Sequence, residues 1–362
     1  MAEPIRVLQI VTYMGRGGLE TMLMNYYRHI DRSKVQFDFL THRAERHEYD
    51  DEIERLGGRI FRLPRLNPLS FTYRKALVTF FKTHPEYKIV HCHLDCMSGI
   101  PLSAAKKAGV PVRLAHAHSA SQDKNFKYLL KLLYMKKIPS VATDLMACGE
   151  DAGHWMFNEN SFHVLPNAVN NADYLYNCAM RKEMRDRFGV KDELVVGHVG
   201  RFSAVKNHTF LLRVIAALKD MHINCKLLLV GGGDLEEKIK REAHELNLDD
   251  SVIFAGIRSD VANCMQAMDV FVMPSLYEGL PVTMIEAQAA GLPCLISERI
   301  PIECKKTDLV RQLSLEEGAT AWAQAVLNVS KIQRRNTYAE IAAAGFDIVE
   351  NAKWLQDFYC SQ

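Results

Sequence analysis

Several features that would place this chain in a class at once are missing. No apolar run reaches the ~18–20 residues that a membrane-spanning helix needs. The start, MAEPIRVLQIV, has an acidic residue and a proline where a secretory leader carries a basic region, and its apolar run is only strand-length. No leader is expected. Charge of one sign is also lacking: 45 basic and 43 acidic side chains leave a net +2, which offers nucleic acid no general attraction. No nucleic-acid partner is expected. The nine cysteines are odd in number and scattered, which fits reduced, mostly buried thiols in the cytoplasm. Low-complexity sequence is absent.

What is present is one design written twice. IRVLQIVTYM is followed by GRGGLE and then by the apolar-periodic TMLMNYYRHI. That order predicts strand, glycine-rich loop and helix. LVVGHVGRF, SAVKNH and TFLLRVIAALKD repeat it from residue 194. Further on, KLLLVGG, VIFAG, VFVMPS and PCLIS read as strands. DLEEKIKREAHEL, DVANCMQAM and PVTMIEAQAAG read as the helices between them. Short apolar runs alternating with helix-length patterns predict an α/β chain of two Rossmann-like domains. In such sheets ligands bind beyond the carboxyl ends of the strands, so two domains facing a cleft are expected. The expected divisions are 1–175, 176–345 and a C-terminal helix over 346–362 packing back toward the first domain.

EGLPVTMIEA places two glutamates, Glu278 and Glu286, on either side of a helix start. Pro281 suits the first helical position, where a missing N–H costs nothing. Glu278 then lies in the loop and Glu286 more than one turn inside the helix. Free N–H groups and a partial positive charge at the helix end suit a phosphate, and carboxylates to either side suit hydroxyl groups. A ligand with phosphates flanked by polyols is a sugar nucleotide. The bland alternative is two surface glutamates near a helix start.

The stretch PSLYEGLPVTMIEAQAAGLPCLIS resembles the Glu-x7-Glu signature of retaining glycosyltransferases of family four, with the GT-B fold. The resemblance extends over nearly the whole chain, through GRGGLE, LPNAVN, VGRFSAVKNH and GFDIVENAKWLQDFY, and is nearest to the capsule and exopolysaccharide subgroup. It implies that Glu278 holds the donor sugar's hydroxyls and Glu286 the ribose. Gly279, Leu280 and Pro281 would lie against the donor between them. Arg201 and Lys206 would neutralise the departing diphosphate, with charge placed where charge develops. A lysine at a helix start opposes the helix dipole, so Lys206 points to an anion. Gly17 and Gly18 resemble a loop close to the donor phosphate and the acceptor. Glu20 is either part of that loop's chemistry or a helix cap. His118, in LAHAHSAS, resembles a histidine near the reacting sugar, with His116 the alternative. Asp-x-Asp, which holds a metal–diphosphate in transferases of the other major fold, does not occur. HCHLDC at 91–96 suggests a metal, but zinc sites usually draw ligand pairs from two places. No metal and no cofactor is expected, the sugar nucleotide being a substrate.

Residues 104–138 carry Lys106, Lys107, Arg113, Lys124, Lys127, Lys131, Lys136 and Lys137, opposed by Asp123 alone. KNFKYLLKLLYMKK mixes lysine with leucine, tyrosine and methionine at near-helical spacing. Lys124, Lys127, Lys131, Lys136 and Lys137 could meet an anionic bilayer, or could form the wet face of an ordinary helix. The expected activity is transfer of a hexosyl unit, most simply from a UDP-sugar, to a lipid-linked or growing cell-surface polysaccharide. It would take place at the cytoplasmic, inner face of the membrane. A sugar-nucleotide epimerase or a non-catalytic nucleotide-binding partner would share the shape. A dinucleotide oxidoreductase is disfavoured because Glu20 stands where the third glycine of G-x-G-x-x-G belongs.

Overall fold

The Val-, Ile- and Leu-rich runs of the sequence become the strands of two wholly parallel sheets. A computed structural model describes residues 3–119 and 128–362. The chain divides into one unit of residues 1–168 with 348–362 and a second of residues 169–347.

In the first unit the strands are β1 (Ile5–Ile10), β2 (Val35–Thr41), β3 (Ile60–Arg62), β4 (Ile89–Cys92), β5 (Val112–Ala117), β6 (Asp144–Ala147) and β7 (His163–Val164). They lie in the order β3-β2-β1-β4-β5-β6-β7. In the second unit they are β8 (Leu194–Val199), β9 (Cys225–Val230), β10 (Val252–Phe254), β11 (Val270–Met273), β12 (Cys294–Ser297) and β13 (Val310–Leu313). Their order is β10-β9-β8-β11-β12-β13. Both sheets therefore reverse direction beside their first strand, between β1 and β4 and between β8 and β11. That is where loops part and a ligand can enter. The glycine loop follows β1, HLDC follows β4, GRFSAVK follows β8 and PSLYEGLP follows β11, so the motifs flank the two switch points.

The C-terminal helix, Ile348–Cys360, belongs to the first unit. Ile348, Ala352, Leu355 and Tyr359 repeat at helical spacing and are buried with Val7, Tyr26, Phe37 and Leu114. Burying each large apolar side chain contributes about 1.5–3 kcal/mol. The second unit begins at Val169, ahead of the expected division at 175/176. Val169 forms a parallel bridge with Asp347, and Tyr174 packs in the second unit's core. Strand β13 and the helix Gly318–Val329 were not legible in the sequence. VRQL is short and half polar, and the helix announces itself only through Trp322, Val326 and Val329 on one buried face.

Within the basic segment, Lys124 and Lys127 lie outside the described residues. The helix Tyr128–Val141 packs Met135 and Ile138 into the first core. A side chain at Gly99 would meet the Tyr134 carbonyl at 2.6 Å, so glycine there lets the neighbouring helix approach. Two of the basic residues are occupied structurally: Lys106 donates to the Ser140 carbonyl and Arg113 to those of Val141, Val110 and Pro111. Lys131 is half-buried, whereas Lys136 and Lys137 are exposed. The segment is thus not a uniform charged stripe. Among the described residues no helix is long and apolar enough to cross a membrane.

Candidate active site

In the second unit, two loops meet backbone to backbone. Phe202 N–H donates to the Gly232 carbonyl and Leu235 N–H to the Phe202 carbonyl. Gly231 and Gly233 hold φ of +143° and +157°. A side chain at Gly233 would strike the Phe202 carbonyl at 2.7 Å, so no larger residue fits. This close seam fixes the loop that carries Arg201 and Lys206. Arg201 is exposed, and its guanidinium lies 3.1 Å from Asp234. Lys206 ends a short 3-10 turn, Ala204–Lys206, ahead of the helix His208–Asp220. Asn207, at φ +55°, turns the chain between them and donates to the Pro274 carbonyl. Leu276 N–H reaches the Val205 carbonyl at 2.8 Å. These bonds tie the lysine turn to the loop after β11.

That tie brings Lys206 and Glu278 together. The ammonium lies 2.7 Å from the Glu278 carboxylate, with both side chains mostly buried. The helix after the loop spans Val282–Ala289, and Pro281 caps it from an extended conformation rather than occupying its first turn. Leu280 packs against the core, and Gly279 is exposed. Glu286 is buried, and the Tyr174 hydroxyl donates to it at 2.8 Å. Burial lifts its carboxyl to about 6, and the tyrosine bond opposes that rise. Two carboxylates eight positions apart thus flank one helix start, one held by a lysine and one by a tyrosine.

The first unit has a different chemistry at the same place. His91 and Gln9 are partners across β1 and β4, and His91 pairs with Leu114 of β5. Side chains alternate along a strand, so Gln9, His91, His93, His116 and His118 share one face. His93 Nδ1 lies 2.9 Å from His118 Nε2, and its Nε2 lies 2.8 Å from the Gln9 side-chain oxygen Oε1. The Gln9 amide nitrogen donates to the Tyr359 hydroxyl, which also meets His91 Nδ1 at 2.6 Å. With Gln9 in this orientation His93 carries its proton on Nε2 and accepts from His118 Nε2–H. His118 Nδ1 is then a bare acceptor, shielded from water and unpaired among the described residues. Burial lowers His91 and His118 to about 3 and also holds His93 and His116 well below the usual imidazole value. All four rings are neutral at physiological pH. Asp95, at φ +45°, accepts from His118 N–H at 2.8 Å and from Ser119. Burial raises its carboxyl to about 6.

Gly17 precedes the helix Gly18–His29 as its cap residue. A side chain there would collide with the carboxylate of Glu20, which folds back over the loop. The glycine cap has no side chain to offer the helix, and a backbone N–H of the first turn, that of Glu20 itself, meets the Glu20 carboxylate. Its carboxyl is raised to about 7, chiefly by burial.

The structure thus joins Lys206 with Glu278 and sets Glu286 in the helix that follows the Glu278 loop. It places His118, His116, Gly17 and Gly18 in the first unit. Sequence reasoning missed Tyr174, Asp95, Gln9, the Gly231–Gly233 seam and the buried pair His198 and His208. Burial lowers His208 to about 4, helped by Lys206. GGGD directly after a strand was the one visible signal among these. The others become partners only through contacts between distant segments.

Two Rossmann-like α/β units, with a carboxylate pair about a helix start in the second, define a GT-B glycosyltransferase. Residues 180–344 match the family described as Glycosyl transferases group 1, and residues 16–172 match Glycosyltransferase Family 4. The chain is 41% identical over 373 residues to the putative glycosyltransferase EpsF of Bacillus subtilis (strain 168), covering 98% of this chain and 96% of that one. It is 25% identical to the capsular polysaccharide biosynthesis glycosyltransferase CapH of Staphylococcus aureus, over 99% of each chain. Its fold matches Anabaena Alr3699/HepE, solved with UDP and glucose, at a TM-score of 0.81 with 16% identity, covering 99% of this chain and 100% of that one. The chain belongs to the family-four glycosyltransferases of the exopolysaccharide and capsule type.

Proposed function

We propose that this glycosyltransferase is a retaining enzyme that moves a hexosyl unit from a UDP-sugar to a lipid-linked or growing polysaccharide acceptor. The observation that carries the reading is the Lys206–Glu278 ion pair beside the helix that bears Glu286. Glu278 accepts hydroxyls of the donor sugar and Glu286 those of the ribose. Lys206, with Arg201, meets the charge that grows on the leaving diphosphate. The acceptor oxygen bonds to the anomeric carbon as the carbon–phosphate oxygen bond breaks on the same face, and the acceptor's proton passes to the departing phosphate oxygen. The donor assignment is supported by a relative, 25% identical over 79% of each chain. That relative is the Escherichia coli UDP-Gal:alpha-D-GlcNAc-diphosphoundecaprenol alpha-1,3-galactosyltransferase.

With cationic side chains at the leaving group, transfer is metal-independent, and no cofactor takes part. Excess chelator is expected to leave the rate unchanged. A loss restored by magnesium or manganese would contradict the leaving-group assignment. A panel of UDP-, GDP- and ADP-sugars, scored by thermal shift and slow donor hydrolysis, tests the donor. Stabilisation by UDP-sugars with release of free sugar is expected. Conversion of the donor to its epimer without an acceptor would favour an epimerase instead.

The acceptor end is read as docking on the inner, anionic face of the cell membrane. Leu129 and Leu133, 73% and 66% exposed, stand one turn apart beside Lys136 and Lys137. Exposed Leu69 lies in the adjacent loop, which Tyr134 and Arg74 bind through the Pro68 carbonyl, and exposed Phe71 opens the helix that follows, Phe71–Thr83. Apolar side chains ringed by lysine suit the boundary between headgroups and acyl chains.

A further inference from the structure

The four histidines at the ends of β4 and β5 leave an unusual number of polar atoms without partners. His91 Nε2, both ring nitrogens of His116 and His118 Nδ1 are buried and make no hydrogen bond among the described residues. Buried polar atoms are nearly always paired, and leaving one unpaired forfeits the hydrogen bonds it had in water. A stack of aromatic rings would pack as well without the nitrogens. Their concentration on one sheet face therefore asks for a ligand.

We propose that His91, His93 and His116 form a binding site for a transition-metal ion of zinc's class. One ligand atom from each lies within 4.8 Å of the others, and all three residues are buried. The HCH sequence gave one pair of ligands. Pairing of β4 with β5 supplies the second source, since His91 and His116 come to share a face through the register His91 to Leu114. His91 Nδ1 is held by the Tyr359 hydroxyl, which fixes the ring and leaves Nε2 to bind, the usual arrangement for a metal-bound histidine. His93 gives up one of its two hydrogen bonds, to Gln9 or to His118, when it turns to the ion. Tetrahedral coordination with bonds near ~2.05 Å places nitrogens ~3.3 Å apart, so the rings must draw in by a side-chain rotation. Three imidazoles with no thiolate among them select zinc, cobalt, nickel or copper over magnesium and calcium. Cys92 points to the opposite face by strand alternation. The site lies in the first unit, while the residues assigned to the donor's leaving group belong to the second.

The full chain, stripped with chelator and dialysed, is titrated calorimetrically with zinc chloride, and with cobalt chloride as a visible probe. One equivalent should bind, cobalt should show a low-symmetry visible spectrum, and zinc should raise the thermal midpoint. His116→Leu and His91→Leu should each weaken binding by about a hundredfold or more, through loss of a ligand. His154→Ala, at an exposed histidine on a separate helix, should bind as wild type does. His116→Leu replaces an unpaired imidazole with an apolar side chain, so in chelator it should melt at or above the wild-type temperature. Absence of stoichiometric binding by the wild type would overturn the proposal. Binding that both leucine variants retain would also overturn it. In either case the histidines would be a hydrogen-bonded cluster only.

Discussion

The two units share a strand order and differ in what stands at the ends of their strands. In the second unit the switch point carries full charges, with Lys206 against Glu278 at 2.7 Å and Arg201 against Asp234 at 3.1 Å. In the first it carries neutral groups, four histidines linked through Gln9 and Tyr359. A charged site can meet charge that develops as a diphosphate departs. A neutral one presents uncharged imidazole nitrogens and draws no anion. The same scaffold thus sets two different electrostatic environments at its strand ends by side-chain choice alone.

The largest expected effect lies on the charged side. Lys206→Ala should lower turnover by about 10²–10³-fold, as loss of one preorganised partner does at developing negative charge. Arg201→Ala should cost less, because that guanidinium is exposed and already paired with Asp234. Steady-state rates with saturating donor measure both. Equal, near-normal rates would erase the contrast between the units.

Next comes the buried acid of the neutral side. Glu20 is raised from 4.5 to about 7 by burial, so the folded chain favours its protonated form. Stability is therefore lost as pH rises from about 4.5 through about 7 and stays lower above that. Glu20→Gln should remove this loss, stabilising the protein by roughly 3 kcal/mol at pH 8 and by little at pH 4. Denaturant melts at the two pH values check it. A gain of equal size at both would show that the carboxyl is not desolvated as described.

Much of the charged site was legible because its parts are local. Glu278, Pro281 and Glu286 lie within one strand–loop–helix, and GRFSAVK within another, so spacing alone assigned them to strand ends. Even there the register was out by one, since the helix starts at Val282 and Pro281 caps it. The histidines of the neutral site were visible singly, in HCHLDC and LAHAHSAS, but their meeting was not. His93 and His118 are 25 residues apart and meet only because β4 pairs with β5. Tyr174 reaches Glu286 across 112 residues, through the second unit's core packing. Neither contact leaves a periodic trace, and a tyrosine in NADYLY reads as ordinary apolar filling.

The smallest effect concerns the surface beside the neutral site. Lys136→Glu with Lys137→Glu should weaken binding to phosphatidylserine vesicles by about 1 kcal/mol per lysine removed, with more for the reversal, and high salt should mimic it. Leu129→Ser with Leu133→Ser should weaken it without changing the salt dependence. Vesicle sedimentation reads both. Equal binding by wild type and the charge variant would leave the helix as a plain wet face.

The division of labour between Glu278 and Glu286 is the account's central claim, and calorimetric affinity for UDP beside transfer rate tests it most directly. Glu286→Gln puts at risk a charge-assisted bond to the ribose of about 1.5–3 kcal/mol. It should weaken UDP binding with or without the sugar. Glu278→Gln should bind UDP close to wild type and lose turnover, because its partner hydroxyls belong to the sugar. If Glu278→Gln loses UDP while Glu286→Gln keeps it, the two roles are reversed. If neither variant changes affinity or rate, the pair is surface charge and the donor site lies elsewhere.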